Sequence, residues 1–296
     1  NGYAKIFELG INSPEVLFAV EFKSSVIDHA YDAYVRPSGD TKELGKQVYS
    51  GFVPTSELVD SYEMAGDGGN FSWEKHGKDP YANREPRFYA TILYNGADWM
   101  GRKIESFVGG KDGYKAYENA GAAGTTVTGY YLRKYLIDGD KTWVTSGSGQ
   151  DWIVLRYAEV LLNKAEALAM ENWNKNSAEA LQALNDVRAR VGLPARATAD
   201  KETFREYVRH ERKVELAGEG FRYWDLRRWR LAEKVIDGQN VHGVKISKQS
   251  DGSFTYEQVD ADGGHKRIFY DRYYRFAIPL SERSNNSLCT NNDGWI

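Results

Sequence analysis

RHERKVELAGEGFRYWDLRRW, residues 209–229, sets dense charge of both signs among Phe221, Tyr223, Trp224 and Trp229. Glu211, Glu215 and Glu219 recur every four residues, which places them on one face of a helix. Gly218 and Gly220 then weaken that helix, because glycine costs roughly 1 kcal/mol against alanine in a helix interior. Three chemistries fit such a stretch: a carboxylate metal site, a basic nucleic-acid patch, or a structural network of ion pairs. Residues 205–230 hold eight Lys or Arg against five Asp or Glu, and the two signs interleave. Nucleic-acid surfaces cluster unpaired positive charge instead. A metal held by Glu211 and Glu215 would need oxygens undisturbed by neighbouring guanidiniums, and Arg212, Arg222, Arg227 and Arg228 stand close by in sequence. The charge pattern therefore predicts a structural network of Glu211, Glu215, Arg222, Asp225 and Arg228 that locks helix to loop.

Working outward from this stretch, the upstream pattern is helical. Asp200 is the expected cap of the helix that runs into residue 209. Val154, Leu155, Ala158, Leu161, Leu162, Ala165 and Leu168 share one helical face, so a helix is expected from about residue 152. A second helix is expected to begin at an Asn176 cap with Glu179 three residues on. It carries Leu181, Leu184, Val187 and Val191 and stops at Gly192 and Pro194. Two such helices joined by a short turn form a helical hairpin, the unit of tetratricopeptide-like arrays. Downstream, residues 231–236 continue as helix, and Val244 to Val259 reads as a β-hairpin around Asp251-Gly252.

The first half is harder to read. Val16, Phe18, Val20 and Phe22 alternate as a strand, and residues 54–64 read as a short helix capped at Thr55 or Ser56. Arg87 to Tyr94 reads as a strand or short helix, and Tyr130 to Ile137 as a short strand. Residues 109–129 are rich in small side chains and predict a mobile loop. The expected layout is one mainly α domain over 1–296, with tetratricopeptide-like hairpin architecture and small β-hairpins. Within it, 65–149 is a loop-rich binding region, 151–236 a helical core and 244–259 the hairpin.

Composition removes several function classes. The net charge is −3, which disfavours polyanion binding. No apolar run reaches the 18 or more residues of a membrane span, and NGYAKIFELG lacks the basic head and apolar core of a signal peptide. A single cysteine, Cys289, rules out an internal disulfide and a multi-cysteine metal cluster. There is no HExxH, no GxSxG and no phosphate loop, and no two of the five histidines have the spacing of paired metal ligands. No cofactor and no metal are expected. Paired carboxylates for a glycosidase are defined by separation in space, so sequence spacing alone leaves that reading open.

The aromatic fraction is 14%, with eight Trp and twenty Tyr, and many lie in polar or glycine-rich segments. Sugar rings have apolar C–H faces beside hydroxyls, and an exposed indole or phenol can stack on such a face. Trp73, Tyr81, Trp99, Tyr114, Tyr117 and Trp143 are the loop aromatics without a packing stripe. Each is either a stacking platform or an anchor that pins its own loop.

Several segments, in order, resemble the SusD/RagB family of surface glycan-binding lipoproteins. They are SPEVLFAVEF (13–22), PTSELVDSYEMAGDG (54–68), DPYANREPRFYATILYNG (79–96), GYYLRKYLID (129–138), LRYAEVLLNKAEALA (155–169), LNDVRARVGLP (184–194), the 211–229 stretch and IPLSERSNNSLCTNNDGW (278–295). The resemblance implies a non-catalytic protein that binds an oligosaccharide, or in some members a peptide, and passes it to a SusC-like TonB-dependent transporter. It implies an outer-membrane, outer-surface location through a lipidated N-terminal part not in this sequence, which reads as the C-terminal half of such a protein. By region, it implies Trp73, Trp99 and Tyr81 as carbohydrate-binding residues. The alternatives are a glycoside-processing enzyme on a helical scaffold and a structural or peptide-binding transporter lid. The hairpin at 152–191 and the third helix are expected to leave an apolar face that the other half would cover.

Overall fold

In a computed structural model, residues 2–120 and 124–295 are described. Among these described residues about 40% are helical, and the strands form four separate antiparallel pairs. Helix α1 (Gly2–Leu9) buries Tyr3, Ile6 and Phe7 at i, i+3 and i+4 spacing. The sequence reading passed over it because eight residues are too few to display a period. Strand β1 (Val16–Val20) follows, then the one-turn helix α2 (Tyr31–Val35).

The expected helix from residue 152 begins later. Strand β2 (Trp152–Arg156) pairs antiparallel with β1, and helix α3 (Tyr157–Arg190) starts only at Tyr157. Val154 and Leu155 therefore belong to a strand. Their partner lies more than 130 residues upstream, where no local pattern reveals it.

Helix α3 breaks at Asn172, whose backbone is extended (φ −159°, ψ 96°). Asn172 Oδ1 accepts a hydrogen bond from Lys175 N at 3.2 Å, which is the cap geometry expected instead of Asn176. Asn176 is a buried interior residue whose Nδ2 donates to Glu171 and to the Leu168 carbonyl. The Lys164 ammonium lies 2.7 Å from Glu179. Residues 15 apart on a straight helix would be about 22 Å apart, so the two arms fold back into a hairpin. Helix α4 (Lys201–Glu215), capped by Asp200 through Thr203 N at 2.7 Å, packs on that hairpin. Leu162, Ala165, Ala180, Leu184, Phe204 and Val208 form their common core.

Helix α5 (Phe221–Arg228) and the long hairpin of β3 (His242–Lys248) and β4 (Phe254–Asp260) complete the body. Val244 and Ile246 of β3 are fully buried against Tyr62, Phe88, Ile92 and Tyr130. Gly129 makes this approach possible: a Cβ there would lie 2.2 Å from the Val244 carbonyl oxygen. Residues 121–123 of the expected mobile loop lie outside the described residues. Of its flanks, Asp112 is fully buried and accepts from Gly39 N and Glu105 N while pairing with Arg102, so that part is anchored.

The ion-pair network exists, with partners the sequence did not reveal. Glu215 faces Arg87, Arg156 and Arg190, and Glu211 faces Arg87 and Arg188. Glu219 receives Arg156 and Lys134, both at 2.6 Å. Asp225 and Arg228 form a second group with Arg212 and Glu166. Arg222 makes no ion pair among the described residues, and burial depresses its pKa, with Asp225 opposing. The correction follows from helix geometry. Arg212 sits one residue from Glu211 and so points about 100° away, toward Asp225. The Glu211/Glu215 face turns inward and meets arginines from distant segments.

Burial alone would raise the carboxyls of Glu215 and Glu219, but the facing cations outweigh it and hold both below the ordinary value of 4.5. Glu63 is held down likewise against burial, by His210, Arg188 and Arg196, while burial raises Glu85. A carboxyl with depressed folded-state pKa stabilises the fold above its unfolded value and loses that contribution as pH falls. Glu57, Glu166, Asp200 and Asp251 are depressed as well and Asp60 is raised by burial, so among the described residues depressed carboxyls outnumber raised ones. Thermal unfolding followed by circular dichroism should therefore show a melting temperature that declines as pH drops below 4.5. A flat melting temperature down to pH ~3 would refute this linkage.

Exposed apolar side chains lie at the β1–β2 ribbon and the start of α3, namely Leu17, Phe18, Val20, Val154, Tyr157 and Val160. Helix α4, also expected to carry them, has no large exposed apolar residue.

Candidate functional site: an aromatic concavity beside a polar groove

Of the three sequence-predicted carbohydrate residues, Trp99 and Tyr81 are buried and Trp73 is half-buried. Trp99 is fully buried, its Nε1 donating to Asp40 Oδ2 at 3.0 Å and its ring lying 5.2 Å from the Arg36 guanidinium. Tyr81 is buried among Phe88, Tyr94, Tyr130 and Tyr256. Trp73 is half-buried, packed on Phe71 and Tyr256, and its Nε1 donates to Asp60 Oδ2 at 2.9 Å. The structure does not bring the three to one surface. The loop-anchor alternative accounts for Trp99 and Tyr81, since a large ring in a loop is the cheapest apolar mass with which to fasten it.

Open rings occur elsewhere. Phe22, Tyr31, Tyr34, Phe52 and Trp152, with His29 and Ala30, line a concavity of about 330 Å³. Tyr34 and Phe52 are 45% and 63% exposed. Tyr34 stacks on Tyr49 with centroids 5.1 Å apart and lies edge-on to Phe52 at 6.4 Å. One face of Trp152 is backed by Tyr135 at 4.8 Å, and its edge meets Tyr31. His29 and Ala30 are shared with a neighbouring polar groove of about 740 Å³, which includes Asp28, Lys46, Ser146 and Ser148.

The local sequence explains how the rings are held. Tyr31 and Tyr34 are three apart on α2, so both project to the same side. Helix α2 is too short to be stable alone and is pinned by buried polar contacts. Asp32 accepts from Arg36 Nε at 2.7 Å and from Gln150 Nε2 at 2.9 Å, and Asp32 N donates to Ser148 Oγ at 3.0 Å. Arg36 is sandwiched between Trp99 and Trp143, each 5.2 Å away. Tyr49 N and Gly51 N donate to the Ala33 and Tyr34 carbonyls, both at 2.7 Å, which folds the Phe52 loop onto α2. Trp99 and Trp143 thus act beneath the site through Arg36. Burial pushes up the pKa of the Tyr31 hydroxyl, with Asp32 adding to the effect. It stays protonated and donates to the Lys134 carbonyl at 2.8 Å.

This arrangement supplies apolar ring faces next to hydroxyl, ammonium and carboxylate groups, which suits an amphipathic polyhydroxylated ligand. Among the described residues only Asp28 contributes a carboxylate to the two lining sets. Among the described residues no group of three or more His, Cys, Asp or Glu could hold a metal ion. No helix is long and apolar enough to cross a membrane. Sequence reasoning missed Phe22, Tyr34, Phe52 and Trp152 because Phe22 and Trp152 fit strand or helix patterns. The usable signal was Tyr34, Tyr49 and Phe52 within a polar segment.

Comparison with known proteins places this geometry in context. The family model described as "SusD family" matches residues 14–295. SusD-like protein P38 of Formosa agariphila is 32% identical over 133 residues, covering 42% of this chain and 25% of that protein. A SusD-like carbohydrate-binding protein of Bacteroides fragilis superposes with a TM-score of 0.75 at 26% identity, over 97% of this chain and 57% of the other. Surface glycan-binding protein A of Bacteroides thetaiotaomicron, solved with laminarihexaose, has a TM-score of 0.54 at 20% identity, over 98% and 54%. The chain thus spans little more than half the length of these solved relatives, and its match to P38 covers a quarter of that protein.

Proposed function

The chain belongs to the SusD family, and from that premise we propose that it binds oligosaccharides without cleaving them, at the concavity of Tyr34, Phe52 and Trp152. We further propose that it delivers them to a SusC-like TonB-dependent transporter at the outer surface of the outer membrane. The carrying observation is the set of open rings beside a polar groove. Two solved proteins with this fold, named for carbohydrate or glycan binding, support the ligand class. The lone Asp28 favours binding over hydrolysis, since glycosidases flank the scissile bond with two carboxyls. The transporter partnership rests on the family resemblance.

Titration calorimetry with a panel of neutral oligosaccharides tests the site. Tyr34→Ala and Phe52→Ala should each weaken binding about tenfold, roughly 1.4 kcal/mol, as expected for losing one stacking ring. Because both side chains are exposed, the folded baseline should be intact. Unchanged affinity in both variants overturns the assignment. Release of new reducing ends from any panel member would favour the enzyme reading instead.

A further inference from the structure

A second concavity, of about 800 Å³, lies between the end of α5 and residues 274–279. It shares no lining residue with the aromatic site or its polar groove. Trp224 and Phe276 form its apolar side, 54% and 57% exposed, with centroids 6.0 Å apart. Arg227, Arg228, Arg230 and Arg275 also line it, and among the described residues no carboxylate does.

The four arginines are not equally free. Arg228 is neutralised by Asp225 and Glu166. Arg227 is held by uncharged groups, donating to the Tyr273 and Tyr274 carbonyls and to the Tyr223 hydroxyl, with Phe276 4.5 Å from its guanidinium. Among the described residues the ion pairs of Arg230 and Arg275 are long, to Asp271 at 3.7 Å and Asp293 at 3.9 Å, with all four side chains exposed, and the Arg230 guanidinium also lies 4.3 Å from the Tyr274 ring centroid. Pairs of that length and exposure are easily exchanged for another anion.

Arg230 carries a second signal. Its backbone is left-handed (φ +55°), at the turn closed by Leu231 N donating to the Leu226 carbonyl at 2.8 Å. Glycine is the unstrained residue at such a helix end. A guanidinium kept there against backbone preference points to a use for the side chain: it packs on the Tyr274 ring, and its exposed remainder is open to an anion.

We infer that this groove is a separate carbohydrate site selective for acidic glycans, those bearing uronate carboxylates or sulfate esters. One sugar ring packs against Trp224 and Phe276, and its anionic group is received by Arg230 and Arg275. Guanidinium forks match carboxylate and sulfate oxygens in pairs. Among the described residues the first concavity has no arginine in its lining, so the two sites divide neutral from acidic sugars.

The test is calorimetry with a galacturonate hexasaccharide and a sulfated hexasaccharide, with laminarihexaose as the neutral control. Arg230→Gly removes the guanidinium while relieving the backbone, so folding is not at issue. Combined with Arg275→Ala, it should weaken binding of an acidic hexasaccharide at least tenfold. Trp224→Ala should weaken it too, and Tyr34→Ala should leave it unchanged. Raising salt should weaken acidic but not neutral binding. The inference is overturned if neither acidic hexasaccharide binds, if the double arginine variant binds as wild type does, or if only Tyr34→Ala abolishes binding.

Discussion

Replacing Glu215 with alanine is expected to destabilise the fold by roughly 3–5 kcal/mol, the usual cost of removing one partner from a buried ion pair. Glu215 is fully buried and faces Arg87, Arg156 and Arg190, two of them fully buried themselves. Its removal leaves Arg87 with Glu85 and Glu211, Arg156 with Glu15 and Glu219, and Arg190 with Glu15, so the buried cluster carries one uncompensated positive charge shared among three guanidiniums, of which only Arg190 has solvent within reach. The loss exceeds that of an ordinary surface pair because the survivors cannot be rehydrated without opening the junction of α1, β2 and α4. Urea denaturation gives the number. Asp98→Ala, which breaks an exposed pair with Lys103, should change stability by no more than about 0.5 kcal/mol. Comparable losses in the two variants would show that the network is not the structural centre of the protein.

The second large effect is expected at Trp99, and on folding before binding. Trp99→Ala should cost roughly 3–5 kcal/mol, as large-to-small core changes do. The ring is fully buried beside Leu93, Tyr131 and Leu136 and forms one wall of the Arg36 slot. Loss of that wall loosens Arg36, and Arg36 pins Asp32 and hence α2. Any binding defect in this variant should accompany lowered stability, whereas Tyr34→Ala should lose binding at nearly unchanged stability. The pairing of denaturation and calorimetry on both variants separates support from contact. A Trp99→Ala protein of wild-type stability that fails to bind sugar would return Trp99 to the ligand.

The helical part was legible in the sequence because its information is local. The Asp200 cap, the α4 face and the apolar stripe of α3 lie within a turn or two of each other. Boundaries failed where a distant partner decided them: Val154 and Leu155 follow a helical spacing and are nevertheless drawn into pairing with β1. The charged stretch shows the same division. Its role as an ion-pair network follows from interleaved signs, but the partners of Glu211 and Glu215 come from segments around residues 87, 156 and 188. Loop aromatics were the least legible. Trp99 and Tyr34 sit in similarly irregular sequence, yet one fills a core and the other lies open, and only tertiary packing separates them.

That separation makes the central claim testable in one measurement. A crystal structure of the protein with an oligosaccharide that calorimetry shows to bind should place a sugar ring against Tyr34 and Phe52, with hydroxyls turned toward the groove of Asp28, Lys46 and Ser146. A neutral sugar bound elsewhere, against Trp73 or in the arginine groove, with the Tyr34 concavity empty, would contradict the account.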